Sequence, residues 1–299
     1  MLFFVSLSLA VVLGIFFPYS ALSLMPYGFV FFFVLMLASG LSAQGKRLAG
    51  MAEQLPVLAF GLFLCFVFLP LLQLTLARLI ISDSYYLTGI YFGALAPVAI
   101  VAPFFTKAVG GDEELAHLLM VSSSILFPFV AVAMLLLVPM PNIQLDLQPL
   151  AKGMLVLVVL PVILSVILGF LVPGLRARLE RILPLLNSVC LAALVFILFG
   201  SAAGRLNLSY ASGSDLVKLL CLGFFQDFGV LLLGAFLAPR FFPRKTALAL
   251  AVSLSMKNTA IAATLLLFYS PAAAIPATLI FIPHAILFGT IPRMSRYLG

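Results

Sequence analysis

Charge is what this sequence has least of. Lys, Arg, Asp and Glu together make up 8% of its 299 residues, against about 25% in a soluble globular domain. That excludes a sizeable soluble domain and leaves a chain solvated mainly by lipid. Histidine is scarcer still, with two residues, both isolated. There is no HExxH, no GxSxG, no clustered pair of intramembrane aspartates and no aspartate motif for a diphosphate. A membrane enzyme is therefore not expected. The three cysteines, Cys65, Cys190 and Cys221, sit in apolar stretches without CxxC or metal-ligand spacing. No disulfide framework, metal site or cofactor is expected. The N-terminus has neither a basic n-region nor a clear small-residue cleavage site, so it reads as a first span rather than a signal peptide. Acid is rarer than base, and the formal net charge is +7. In a chain this apolar, that points to basic cytoplasmic loops facing anionic headgroups of the lipid bilayer, not to a nucleic acid partner.

What the sequence has is long apolar runs. A membrane-spanning helix needs about 20 mostly apolar residues. Ten segments qualify, approximately 1–17, 27–44, 55–79, 86–109, 113–139, 149–172, 182–204, 215–238, 246–269 and 272–292. None shows the alternating pattern of a membrane barrel. The expected fold class is an all-α polytopic membrane protein with ten transmembrane helices. Connections announce themselves by Pro, Gly, Asn or charge, as at Pro139-Met140-Pro141-Asn142, Pro173-Gly174 and Ala238-Pro239-Arg240. With ten spans, one side of the membrane carries Lys46, Arg47, Lys107, Arg176, Arg178, Arg181, Arg240, Arg244, Lys245, Arg293 and Arg296. The other carries Arg78, Lys152 and Arg205, while Lys218 and Lys257 lie inside spans. The positive-inside rule places both termini in the cytoplasm, in a cell inner (plasma) membrane.

A weak internal repeat runs through the chain. Leu13-Gly14-Ile15-Phe16-Phe17-Pro18 resembles Leu168-Gly169-Phe170-Leu171-Val172-Pro173 at an offset of 155, which also carries Pro128 to Pro283 and Pro103 to Asn258. Five spans repeated once must be inverted, a common design for secondary transporters. The expected halves are 1–144 and 145–299.

Two of the segments carry helix breakers. Span nine holds Ser253, Ser255, Lys257, Asn258 and Thr259 within about two turns. Such groups compete for backbone hydrogen bonds, and a lone ammonium near mid-membrane costs roughly 2.5–3.5 kcal/mol on insertion scales. Span four holds Pro97 and Pro103 in Gly93–Lys107, and each proline deletes a backbone donor. Both helices are expected to be discontinuous and to cross, around a cavity that favours an anion through helix N-termini and Lys257. Packing kinks are the plainer reading of the prolines. Asp227, near the centre of span eight, is expected at a depth similar to that of Lys257. Three roles stay open for the two residues: a structural ion pair, a proton-coupling pair, or a lysine that attracts an anionic substrate. Ser122-Ser123-Ser124 before Pro128 reads either as cavity lining or as small-residue helix packing. Asp112-Glu113-Glu114 reads as a helix cap, with a gating role as the alternative.

Taken in order, Leu-Gly-x-x-x-Pro, Gly40-Leu41, Pro97, Gly111-Asp112, Leu115-Ala116, Ser123, Leu126, Pro128, Met256-x-Asn258 and the run Ser270–Pro276 followed by His284 resemble the bile acid:sodium symporter family. That resemblance implies a core of spans three to five and eight to ten, and a panel of spans one, two, six and seven. The substrate would lie between them at the crossing of spans four and nine. The substrate contacts expected at this crossing are Lys257, Asn258, Ser253, Pro97, Pro103, Thr106, Ser123 and His284, and Lys257 with Asp227 is the expected ion-coupling pair. The sequence departs from the family where sodium would bind. The family pattern Glu-x-x-Met-Gln-Asn falls on Ser253 through Asn258, with serine at the glutamate position and Lys257 at the glutamine. Pro-Gly-Gly becomes Pro97-Val98-Ala99, and the span-three glutamine falls near Cys65. The function expected is a secondary transporter of a small organic anion working by alternating access without sodium coupling. Sterol-like, keto or pantoate-like acids are the classes the resemblance implies. A sodium-coupled symporter with a non-standard ion site and a non-transporting membrane sensor are the alternatives.

Overall fold

The computed structural model describes residues 2–43, 51–138, 146–172, 174–179, 181–205 and 213–298. The loop residues Lys46, Arg47 and Pro173 and the 139–142 loop lie outside them. Among the described residues the regular structure is helical, apart from one isolated β-bridge. Lipid offers no partner to backbone N–H and C=O groups, so a chain this apolar closes those bonds within helices.

The first part runs α1 (Leu2–Phe16), α2 (Pro18–Leu24) and α3 (Gly28–Ala43). Next come α4 (Met51–Phe63) and α5 (Leu69–Ile80), made continuous by a π-turn at Leu64–Phe68. α6 (Ser84–Leu95) and α7 (Ala102–Ala108) are two half-helices separated by non-helical backbone, and α8 (Glu113–Leu137) follows. A second π-turn, Leu155–Val159, joins α9 (Leu147–Met154) to α10 (Leu160–Leu171). α11 (Leu175–Leu179) leads to α12 (Leu183–Arg205). α13 (Gly213–Phe224) and α14 (Val230–Leu237) share a third π-turn, Phe225–Gly229. α15 (Arg244–Ser255) and α16 (Thr259–Tyr269) are again half-helices, before α17 (Pro271–Leu279) and α18 (Phe281–Leu298).

Among the described residues, seven helices are long and apolar enough to cross a membrane: Pro18–Ala38, Gln54–Ile80, Glu113–Leu137, Gln148–Leu171, Leu183–Gly204, Gly213–Arg240 and Ala272–Ile291. They fall on seven of the ten expected segments. The other three differ for a physical reason. α1 has 15 residues, fewer than the roughly 20 needed to cross without help. Segments 86–109 and 246–269 are each split by the polar or proline-bearing breaks described below.

Local signals account for the helix starts. Asp83 caps α6 by accepting from the Tyr86 N–H at 2.9 Å. Asp112 caps α8, its Oδ1 accepting from Glu114 and Leu115 at 3.0 and 3.1 Å. Both satisfy N–H groups that the helix itself leaves free. Large apolar side chains cover the outside, with Phe170 82% and Phe16 75% exposed. On a soluble protein these would be sticky patches; here they face lipid. Inside, α12 packs on α1, α2 and α3, and α3 on α10. α17 packs on α6, α13 and α16, and α15 on α7, α8 and α14. α6 and α17 approach closely at Gly89, where any Cβ would run into the Ala273 carbonyl oxygen. Lacking a hydrophobic drive between helices in lipid, such contacts rely on small residues.

Candidate functional site

The first break follows from Pro97. A residue before proline is pushed out of the helical region, and Ala96 sits at φ −52°, ψ 147°. α6 therefore ends at Leu95, and the chain runs non-helically until α7 begins at Ala102. Pro103 does not break a helix. It sits in the first turn of α7, where its missing N–H costs nothing. The second break has no proline. α15 ends at Ser255, Met256 and Asn258 take φ/ψ of −93°/88° and −78°/69°, and α16 starts at Thr259.

The two breaks satisfy each other. Val98 and Lys257 form an antiparallel bridge. The Ala99 N–H donates to the Met256 carbonyl and the Asn258 N–H to the Pro97 carbonyl, both at 2.7 Å. The Val98 N–H goes to Ser123 Oγ on α8 at 3.0 Å. Non-helical backbone is tolerated at membrane depth only when protein or a water-filled cavity takes up its polar groups. Ser123 thus serves the break rather than the cavity wall. Ser123→Ala is expected to strand the Val98 N–H, at about 1–3 kcal/mol for a buried unpaired group. Thermal unfolding should show a clear loss relative to Ser124→Ala, which deletes only a bond to the Met120 carbonyl.

Lys257 is fully buried. Its Nζ donates to the Cys65 carbonyl at 2.7 Å and approaches Cys65 Sγ at 2.9 Å. Cys65 lies on the first π-turn, a geometry that interrupts the ordinary helical hydrogen-bond ladder. The expected pairing of Lys257 with Asp227 is not formed. Asp227 Oδ2 lies 2.8 Å from His284 Nδ1 instead. α14 and α15 do pack together, so the two residues belong to neighbouring elements. The break, however, sends the lysine toward the π-turn between α4 and α5, while Asp227 sits on the π-turn that packs on α18.

A cavity of about 90 Å³ adjoins the crossing. Its wall includes Ala99, Ile100 and Val101 from the first break, Lys257, Asn258 and Thr259 from the second, and His284 and Phe288 from α18. Of the residues expected at the site, Lys257, Asn258 and His284 reach this wall. Pro97, Pro103, Thr106, Ser123, Ser253 and Asp227 do not. Thr106 and Ser253 are buried, their hydroxyls without a hydrogen-bond partner among the described residues. Lys257 Nζ is held at Cys65, which is not part of the wall. Asn258 Nδ2 and His284 Nε2 are buried polar atoms of wall residues without a hydrogen-bond partner among the described residues. Around them the wall is apolar, with Leu35, Leu191 and Phe281 among its members. Asn187 of α12 also lines it. Sequence reasoning missed Asn187, although an amide inside an apolar span was a readable signal.

The model of the Sodium Bile acid symporter family matches residues 29–208. Among curated proteins none matches the chain significantly. The family match takes in the first break and Cys65 and ends before Asp227, Lys257 and His284. It covers more than half of the chain, and the chain belongs to the sodium bile acid symporter family, as a multi-pass membrane transporter.

Proposed function

We propose that this family member is a secondary transporter of a small organic anion that works by alternating access without sodium. The observation that carries the reading is the Lys257 ammonium held against the Cys65 carbonyl beside the crossing. A fixed cation on a backbone oxygen supplies the positive charge that a bound sodium ion would otherwise bring. The antiparallel pairing of the two breaks supports an inverted-repeat arrangement of ten spans, with a panel containing α1, α3, α10 and α12 and a core containing the two broken helices. Asn258 Nδ2 and His284 Nε2 offer hydrogen bonds to a carboxylate head, and the apolar wall suits a short hydrocarbon body. A cavity of about 90 Å³ favours keto or pantoate-like acids over a sterol. The Lys and Arg asymmetry supports a plasma-membrane protein with cytoplasmic termini.

The test is uptake of labelled pyruvate, 2-oxobutyrate, pantoate and cholate into proteoliposomes, with sodium or choline as the cation. Uptake of one of the small acids at equal rates in both salts is expected. A strict sodium requirement would sink the sodium-free reading, and absence of uptake for every acid would sink the transport reading.

A further inference from the structure

Asp227 and His284 are a second pair of buried ionisable groups, separate from Lys257. Asp227 is 0% exposed on the π-turn Phe225–Gly229 and His284 is 3% exposed on α18. Asp227 Oδ2 and His284 Nδ1 lie 2.8 Å apart. Neither Asp227 Oδ1 nor His284 Nε2 has a hydrogen-bond partner among the described residues. A buried ion pair that serves only structure needs good geometry and further bonds to its remaining lone pairs and protons. This pair has the contact but, among the described residues, no further side-chain bond on Asp227 Oδ1 or His284 Nε2. His284 is on the cavity wall and Asp227 is not. The cavity exceeds the roughly 10–15 Å³ that one water requires, so water can reach the imidazole and, through it, the carboxylate.

We propose that Asp227 and His284 together form a proton-binding site whose occupancy is coupled to that of the anion cavity. The coupling half of this inference rests on the transport reading above. The groups packed around the pair leave the role to it. The π-turn packs against α13, α14, α15 and α18. On α13, Asp215 and Lys218 pair with each other at 3.2 Å, and Cys221 is exposed. On α15, Arg244 and Lys245 stand in the first turn, far from its Ser253 and Ser255 end. α14 carries no ionisable residue. Gln226 is engaged with the Leu254 carbonyl at 3.3 Å, and Lys257 with Cys65. Among the described residues, His284 is the basic group within ion-pair distance of Asp227.

The charge balance sets the direction of coupling. A proton delivered from the bulk through cavity water adds to the His284–Asp227 pair, which passes from net charge −1 to 0. With Lys257 counted as an ammonium, the site passes from 0 to +1. A monovalent anion then restores neutrality. In a low-dielectric site each unit charge acts strongly, so proton and anion favour each other's binding, and by linkage the preference is reciprocal. One proton accompanies one anion, and both leave when the cavity opens to a less acidic side.

The chain has two histidines, which makes a direct test practical. Full-length protein labelled with ¹⁵N-histidine in lipid nanodiscs would be followed by NMR from about pH 9 to about pH 5, a range in which imidazole exchanges protons. His117→Asn assigns the His284 signals. The expected result is a reversible change in the protonation form of His284 in the folded protein. Asp227→Asn should move the half-point of that change by about tenfold in proton concentration. Asp227→Glu, which keeps a carboxylate, should move it less. His284 signals frozen in one form across the range would overturn the proposal, and so would identical behaviour in wild type and Asp227→Asn. The wild-type titration decides even if the asparagine variant does not fold. Titration without uptake of any acid would leave the proton site standing and remove the transport reading. Uptake without titration would do the reverse.

Discussion

Lys257→Met is expected to reduce anion uptake at least about tenfold, in sodium and in choline alike, while the protein still folds. Methionine nearly matches the length of lysine and suits an apolar site, so the change is mainly the loss of one charge. A unit charge within about 8 Å of a bound anion contributes about 2 kcal/mol at an effective dielectric of 20. Tenfold corresponds to about 1.4 kcal/mol, so that one interaction suffices. A second loss falls on stability. The Cys65 carbonyl, which accepts the ammonium at 2.7 Å, is left without it, for about 1–3 kcal/mol. Proteoliposome uptake and thermal unfolding together separate the two effects. Undiminished uptake in choline would remove Lys257 from the transport site. Uptake recovered only in sodium would mean that the ammonium had been standing in for the ion.

Asn258→Pro should damage the protein far more than Asn258→Ala. The φ of Asn258 is −78°, within the range proline prefers, and Lys257 before it lies in the bridge rather than in a helix. The backbone shape is therefore acceptable to proline. What proline removes is the N–H that donates to the Pro97 carbonyl at 2.7 Å, and its ring carbon presses on that oxygen. The breaks would lose one of the two bonds that tie them and would have to separate. Alanine keeps the bond and deletes only a side chain that makes no capping bond at α16. Asn258→Ala should melt close to wild type but take up anion less well, because the open Nδ2 on the cavity wall is gone. Asn258→Pro should melt well below it and show no uptake. Equal melting of the two variants would show that the bridge contributes little to the crossing.

The site was legible wherever its cause is local. Pro97 restricts Ala96 whatever surrounds it, so the first break could be read from two adjacent residues. Five polar side chains between Ser253 and Thr259 announced the second. Pro103 was misjudged because a proline destroys the interior of a helix and suits its first turn, and the difference is a matter of where the helix begins. Thr106 and Ser253 were expected at the cavity because they lie near the two breaks in sequence, and they are buried away from its wall.

The chain's membrane character, its apolar segments and the position of both breaks were decided by the sequence itself. Hydropathy, proline sterics and the competition of polar side chains for backbone bonds act over a few residues. The tertiary structure alone decided which charges meet. Depth along a helix can be counted from sequence at about 1.5 Å per residue, and by depth Asp227 and Lys257 looked like partners. Direction around the helix axis cannot be counted across a π-turn or a break, because both change the rotation between successive side chains. The π-turns at Leu64–Phe68 and Phe225–Gly229 and the break at Lys257 gave the lysine to Cys65 and the aspartate to His284.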